Sequence, residues 1–219
     1  RSYRQKYFSD ADGHVVRNSF KRLGRTFIEL TKEKHIFIFL LAFFFYIDGV
    51  YTVIDMATAY GQALGLDSTG LLLALLVTQI VAFPCVLIFS RLVKKIKPEA
   101  IITICIAAYF CIDVYAYWLD TQFDFWLLAV LVGMFQGTIQ ALSRSYFAKI
   151  IPAEKSGEFF GIYDICGKGA SVIGTALVSV LSQVTGSINI GVSALSVMFL
   201  IGLVLFRYSA KLNAGRQTQ

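Results

Sequence analysis

Long apolar runs alternate with short polar connections along most of this chain. The runs lie near 35–58, 70–90, 100–118, 125–147, 158–184 and 188–207. A helix needs about 20 apolar residues to cross roughly 30 Å of hydrocarbon. The pattern therefore predicts six transmembrane helices in an all-α membrane protein.

The polar residues inside these runs are aligned rather than scattered. On the first run, Asp48, Tyr51, Thr52 and Asp55 follow i, i+3, i+4, i+7 spacing. That places them on one helix face, with Phe43, Ile47, Val50 and Ile54 on the other side. The fourth run carries Gln136, Gln140, Ser143 and Arg144 at similar spacing. The fifth carries Asp164, Lys168, Ser171, Thr175, Ser179 and Ser182 along nearly its whole length. The second offers Thr78 and Gln79, with Pro84 as an expected kink. The sixth is polar only at Asn189, Ser193 and Ser196, which predicts a lipid-facing peripheral helix.

Ionisable groups within a membrane face a bundle interior or a wet cavity. Three or four such stripes thus predict a shared polar interior. At ~1.5 Å per residue, Asp48 and Lys168 fall near the midplane, Asp55 at the outer interface and Arg144 at the inner one. Asp48 is the leading candidate for proton coupling or solute contact, and its neighbour Gly49 would permit close approach or local unwinding. Asp164 and Lys168 stand at i and i+4, so a local ion pair and a ligand site are both open readings. Arg144 is readable as a gate or as a snorkelling surface cation, and Asp55 as a gating charge or a solvated one. Asp113 has few polar companions and reads as structural. The pairs Gly133/Gly137 and Gly157/Gly161 have the small-xxx-small spacing of close helix contacts.

Composition agrees with a membrane setting. Hydrophobic residues make up 57% and charged residues 16%, against ~45–50% and ~25% in soluble domains. The net charge of +6 is unevenly placed, with nine of twenty Lys/Arg in the first 34 residues. Basic connections (1–34, 91–99, 149–158, the tail after Phe206) alternate with connections that have no Lys or Arg (59–69, 119–124, 185–187). By the positive-inside rule both termini are expected in the cytoplasm. No basic, aromatic-interleaved soluble face offers itself to nucleic acid. Cys85, Cys105, Cys111 and Cys166 form no CxxC or Cys/His set, so neither a metal site nor a cofactor is implied. No nucleophile–base–orienter set marks an enzyme.

Residues 14–31 place Val16, Phe20, Leu23, Phe27 and Leu30 at helical spacing, with Arg17, Lys21, Arg22 and Arg25 largely on other faces. This predicts a basic amphipathic helix on the inner membrane surface, or one covering the cytoplasmic ends of the spans. The expected organisation is a cytoplasmic basic segment over 1–34, a six-helix domain over 35–207 and a cytoplasmic tail over 208–219. The opening RSYRQKYFSD does not start with Met and reads as the middle of a longer protein.

Three stretches carry a family resemblance. FFFYIDGVYT (43–52), QALSRSYFAKIIP (140–152) and FFGIYDICGKGAS (159–171) resemble the vacuole-effluxer-like branch of the major facilitator superfamily, which includes the autophagy-related permeases of fungal vacuoles and bacterial relatives. The resemblance covers roughly residues 14–210, and only the C-terminal six-helix half of such a transporter. It implies two inverted three-helix repeats. It also implies that spans one and four line a central cavity, that spans two and five meet an N-terminal six-helix half, and that spans three and six lie outside.

The expected function is secondary active transport of a small polar solute by alternating access, with amino acids the class that the fungal members imply. Tyr46, Tyr51, Thr52, Gln79, Gln136 and Gln140 would supply hydrogen bonds. Asp48, Asp164 and Lys168 would supply charge, and Asp55 and Arg144 would act at the gates. The expected partners are the N-terminal half, the lipid bilayer and the solute. The expected location is a bacterial plasma membrane, or a vacuolar membrane in a fungus. The rival readings are a lipid-binding or assembly module and an oligomeric channel.

Overall fold

A computed structural model of the chain describes residue 24, residues 26–63 and residues 65–217. Among the described residues six helical spans form, each long and apolar enough to cross a membrane. Among the described residues there is no strand. Span one is α1 (Lys34–Ala63), span two α2 (Ser68–Leu92), span three α3 (Pro98–Ala116) and span four α4 (Gln122–Ile150). Spans five and six are each made of two helices. Span five is α5 (Ser156–Gly169) and α6 (Val172–Thr185), and span six is α7 (Ile188–Ser193) and α8 (Leu195–Gln217). The chain is thus an integral, multi-pass membrane protein.

Local chemistry sets several of the ends. Asp67 caps α2, its carboxylate accepting the Gly70 N–H at 2.8 Å. Thr121 and Asp124 form a reciprocal capping box at the start of α4, satisfying amides that the first turn leaves open. Pro98 opens α3, where its missing N–H is no loss. Pro84 lies inside α2, and the helix runs on through it to Leu92.

Most of the amphipathic segment expected over 14–31 lies outside the described residues, including Arg17, Lys21, Arg22 and Arg25. Its end is helical over 26–32 and docks on the connection between spans four and five. There Thr26 donates to Glu158 at 2.8 Å, and Lys155 Nζ lies 2.6 Å from Glu29 Oε2. The Glu29 carboxylate holds the Lys155 ammonium above its ordinary pKa.

The core forms along two seams. In one, α1 packs against α8. Gly49 lets the Phe199 ring reach the α1 backbone, since a Cβ there would sit 2.7 Å from the ring. Helix α1 does not unwind at Gly49. Ser209 ties the start of α1 to α8 by donating to the His35 carbonyl at 2.7 Å. In the other seam, α2 packs against α4. A Cβ at Gly133 would lie 2.6 Å from the Thr78 carbonyl oxygen, so backbone meets backbone as the small-residue spacing predicts. Gly157 and Gly161 have nothing within 4 Å and contribute no such contact among the described residues.

Span six differs from its sequence reading. One side of α8 buries Leu195, Met198, Phe199, Phe206 and Ser209, while Val197, Leu200, Val204 and Tyr208 stay exposed. It is therefore half core and half lipid-facing, because its apolar residues ring the whole helix and polarity alone could not orient it. Spans two and five are the least buried, at 22% and 17% of their most apolar stretches, against 33% to 61% for the others.

Candidate functional site

An open cavity of about 690 Å³ lies between spans one, four and five. Its wall follows an i+4 line down α1 through Phe43, Ile47, Tyr51 and Asp55. Gln140 and Arg144 face it from α4, and Tyr163, Asp164 and Lys168 from α5. Polar stripes on three helices thus converge, as expected from their spacing.

The stripe on span one divides, however. Tyr51 and Asp55 face the cavity together with Phe43 and Ile47, which the sequence reading had put on the other side. Asp48 and Thr52 point about 100° further round the helix and are fully buried. A face inferred from i, i+3, i+4 spacing is broad enough to serve two neighbours, and here it does.

Asp48 meets the interruption of span five. Helix α5 ends at Gly169, and Ser171 adopts φ +78, ψ −14 before α6 begins. Left-handed geometry is uncommon for a residue with a Cβ. Ser171 occupies the N-cap position of α6, yet its side chain caps nothing. Asp48 replaces it: the Gly174 backbone N–H donates to its carboxylate at 3.0 and 3.2 Å. An N-cap side chain normally reaches this same third-position amide. The positive end of the α6 dipole favours an anion at this point. Gly174 is needed for the approach, since a Cβ there would overlap Thr52 Oγ1 and stand 3.3 Å from Asp48 Oδ1.

Arg144 and Asp164 join α4 to α5, with Nη1 and Oδ1 3.2 Å apart. Asp164 therefore pairs across helices, and not with Lys168 one turn along. The Arg144 guanidinium also lies 5.2 Å from the centre of the Phe160 ring, within cation–π range. Behind this pair, Tyr163 stacks on Phe43 at 4.1 Å and on Phe147 at 4.9 Å between centroids. Lys168 and Asp55 are exposed and join no salt bridge among the described residues.

The other expected site residues lie elsewhere. Tyr46 is buried, its hydroxyl 2.6 Å from Ser143 Oγ, so it joins α1 to α4 beneath the cavity floor. Gln79 and Gln136 line a narrow crevice between spans one, two and four, with Gln136 Oε1 unpartnered among the described residues. Asp113 is 1% exposed, packed near Thr52, Tyr60, Val178 and Leu195. The Ser196 amide lies beside it without closing a hydrogen bond of ordinary geometry. Among the described residues no group of His, Cys, Asp and Glu could hold a metal ion. Phe43, Ile47 and Tyr163 were not foreseen as wall residues. Aromatic and apolar side chains in a membrane span give no signal that separates a cavity from lipid.

Comparison with known proteins adds three findings. Residues 4–219 match the model of the family described as vacuole effluxer Atg22 like. An uncharacterized MFS-type transporter, YxiO, of Bacillus subtilis is 46% identical over 93% of this chain and 48% of its own length. Autophagy-related protein 22 of Candida glabrata is 24% identical over 91% of this chain and 41% of its length, and autophagy-related protein 22-1 of Aspergillus clavatus is 28% identical over 93% and 36%. The chain spans about half, or less, of the length of these relatives.

Proposed function

The chain belongs to the vacuole effluxer Atg22-like family, and from that premise we propose that it forms one half of a secondary transporter. A second six-helix half would complete it, and a small polar solute would pass through the 690 Å³ cavity by alternating access. The low burial of spans two and five supports the second half, since their apolar faces are free for it to cover. Both termini would lie in the cytoplasm, in the plasma membrane of a bacterium or the vacuolar membrane of a fungus.

One observation carries the choice of solute. The cavity wall holds a cation, Lys168, and an anion, Asp55, each without a salt bridge among the described residues, and a cross-helix pair, Arg144–Asp164. A zwitterion such as an amino acid matches that set: its carboxylate meets Lys168, its ammonium meets Asp55, and Tyr51 and Gln140 bond the remainder. The Arg144–Asp164 pair would close the inner end in one state and part in the other. Asp48 would couple protons through the interruption of span five. Protonation turns a charged cap into a neutral one and loosens its hold on α6.

Uptake of labelled amino acids by the full-length protein in proteoliposomes tests this. Lys168→Gln is expected to raise KM about ten- to a hundredfold, the loss of one charged hydrogen bond, with the protein still folded. Unchanged KM for amino acids, sugars and nucleosides alike would sink the zwitterion reading.

A further inference from the structure

Away from the cavity, the start of α3 and the end of α8 lie side by side and leave a groove of about 580 Å³. Lys97, Arg207 and Lys211 line it, together with Glu99 and Tyr208. All three cations are exposed, and none joins a salt bridge among the described residues. Lys97 directly precedes Pro98 at the start of α3, where its carbonyl accepts the Ala100 and Ile101 N–H groups, and Glu99 adds a carboxylate to the lining. Three cations against the Glu99 carboxylate leave an excess of positive charge that favours an anion there.

What continues from the groove identifies the anion. Along α8, Val204 and Leu200 stand one and two turns before Arg207 and Tyr208 on the same stripe. On α3, Ile104 stands one turn beyond Ala100. All three apolar side chains are about half exposed or more: Leu200 49%, Val204 61%, Ile104 52%. By this spacing a basic notch on the side of the Lys/Arg-rich connections stands in line with an apolar track along the membrane. Tyr208, 53% exposed, sits at the junction, where amphipathic rings settle at headgroup level.

We infer that this groove binds one anionic phospholipid of the inner leaflet. Its phosphate sits among Lys97, Arg207 and Lys211, and an acyl chain lies along Ile104, Leu200 and Val204. A free inorganic anion would use the notch but not the track. A zwitterionic lipid would use the track but leave the net charge of the notch uncompensated.

Native mass spectrometry of the full-length protein in detergent, with added phosphatidylglycerol, phosphatidylcholine or inorganic phosphate, decides this. One phosphatidylglycerol is expected to be retained, with phosphate unable to displace it. Neutralising the notch in K97Q/R207Q/K211Q is expected to cut retention about tenfold or more, at roughly 1 kcal/mol per cation. The control K94Q/K95Q, in the same connection but outside the groove, keeps it. The single variant K211Q, at an exposed position, gives a smaller loss should the triple variant misfold. Equal retention of phosphatidylcholine, displacement by phosphate, or retention unchanged in both K211Q and the triple variant overturns the inference.

Discussion

The Asp48 carboxylate accepts the Gly174 backbone N–H at 3.0 Å, and through it span one holds the second half of span five. A fully buried acid becomes tolerable when it faces a helix N-terminus. Its partner is the protein's own backbone, beside the cavity and outside its lining.

Asp48→Ala removes the only cap on that amide among the described residues. We expect about 1–3 kcal/mol of destabilisation from the buried, unsatisfied N–H, read as a lower midpoint in thermal unfolding of the full-length protein in nanodiscs. Asp48→Asn keeps an acceptor and loses the charge, so it should fold near normally and transport with a flattened pH profile. A wild-type pH profile in Asp48→Asn would remove the coupling role and leave the capping one.

Gly174→Ala should destabilise by about 1–3 kcal/mol through overpacking, because its methyl overlaps Thr52 Oγ1. Thr52→Ala in the same protein relieves part of the clash. The double mutant is then less damaged than the sum of the singles, a coupling that a mutant cycle measures. Strict additivity would show that the two side chains do not meet.

Arg144 and Asp164 are 59% and 44% exposed, and an ion pair so placed contributes only about 0–1 kcal/mol to stability. Neutralising either is expected to leave the unfolding midpoint close to wild type and to lower transport strongly. The swap Arg144→Asp with Asp164→Arg should restore part of the rate. A rate untouched by Arg144→Ala rules out the gate.

Gly133 and Gly161 separate two kinds of glycine. Gly133→Ala forces α2 from α4 and is expected to cost about 1–3 kcal/mol. Gly161→Ala meets nothing within 4 Å in this half. If span five meets a second half, Gly161→Leu will lower transport while the circular dichroism of the protein stays native. Full transport with Leu at 161 places that face against lipid.

Much of this was legible in the sequence. Six spans are legible because length and apolarity alone define a membrane helix, and their ends fall within about five residues of those read, except that the last helix runs on from 207 to Gln217. The cavity cation Lys168 and the pairable Arg144 and Asp164 also stand out, because charge inside a span is rare. The division of the span-one stripe did not, since spacing gives the face a residue occupies and not the neighbour that face meets. Nor did the break at 170–171. The Gly167–Lys168–Gly169–Ala170–Ser171 stretch carries a stop signal and a start signal, yet the polar stripe runs on through it in helical phase. Asp113 was read as structural for want of polar neighbours in sequence, and the residues that bury it, Thr52, Tyr60, Val178 and Leu195, come from other spans.

The break in span five has an electrical consequence. An uninterrupted helix keeps its poles at the membrane surfaces, whereas one cut midway brings an opposed pair into the hydrocarbon. Asp48 sits at the positive pole of α6, and Lys168 lies in the last turn of α5 at the negative one. A shift of α5 past α6 carries the Lys168 charge across part of the membrane field. The voltage across the bilayer, at ~2.3 kcal/mol per charge per 100 mV, then bears directly on which way the joint rests.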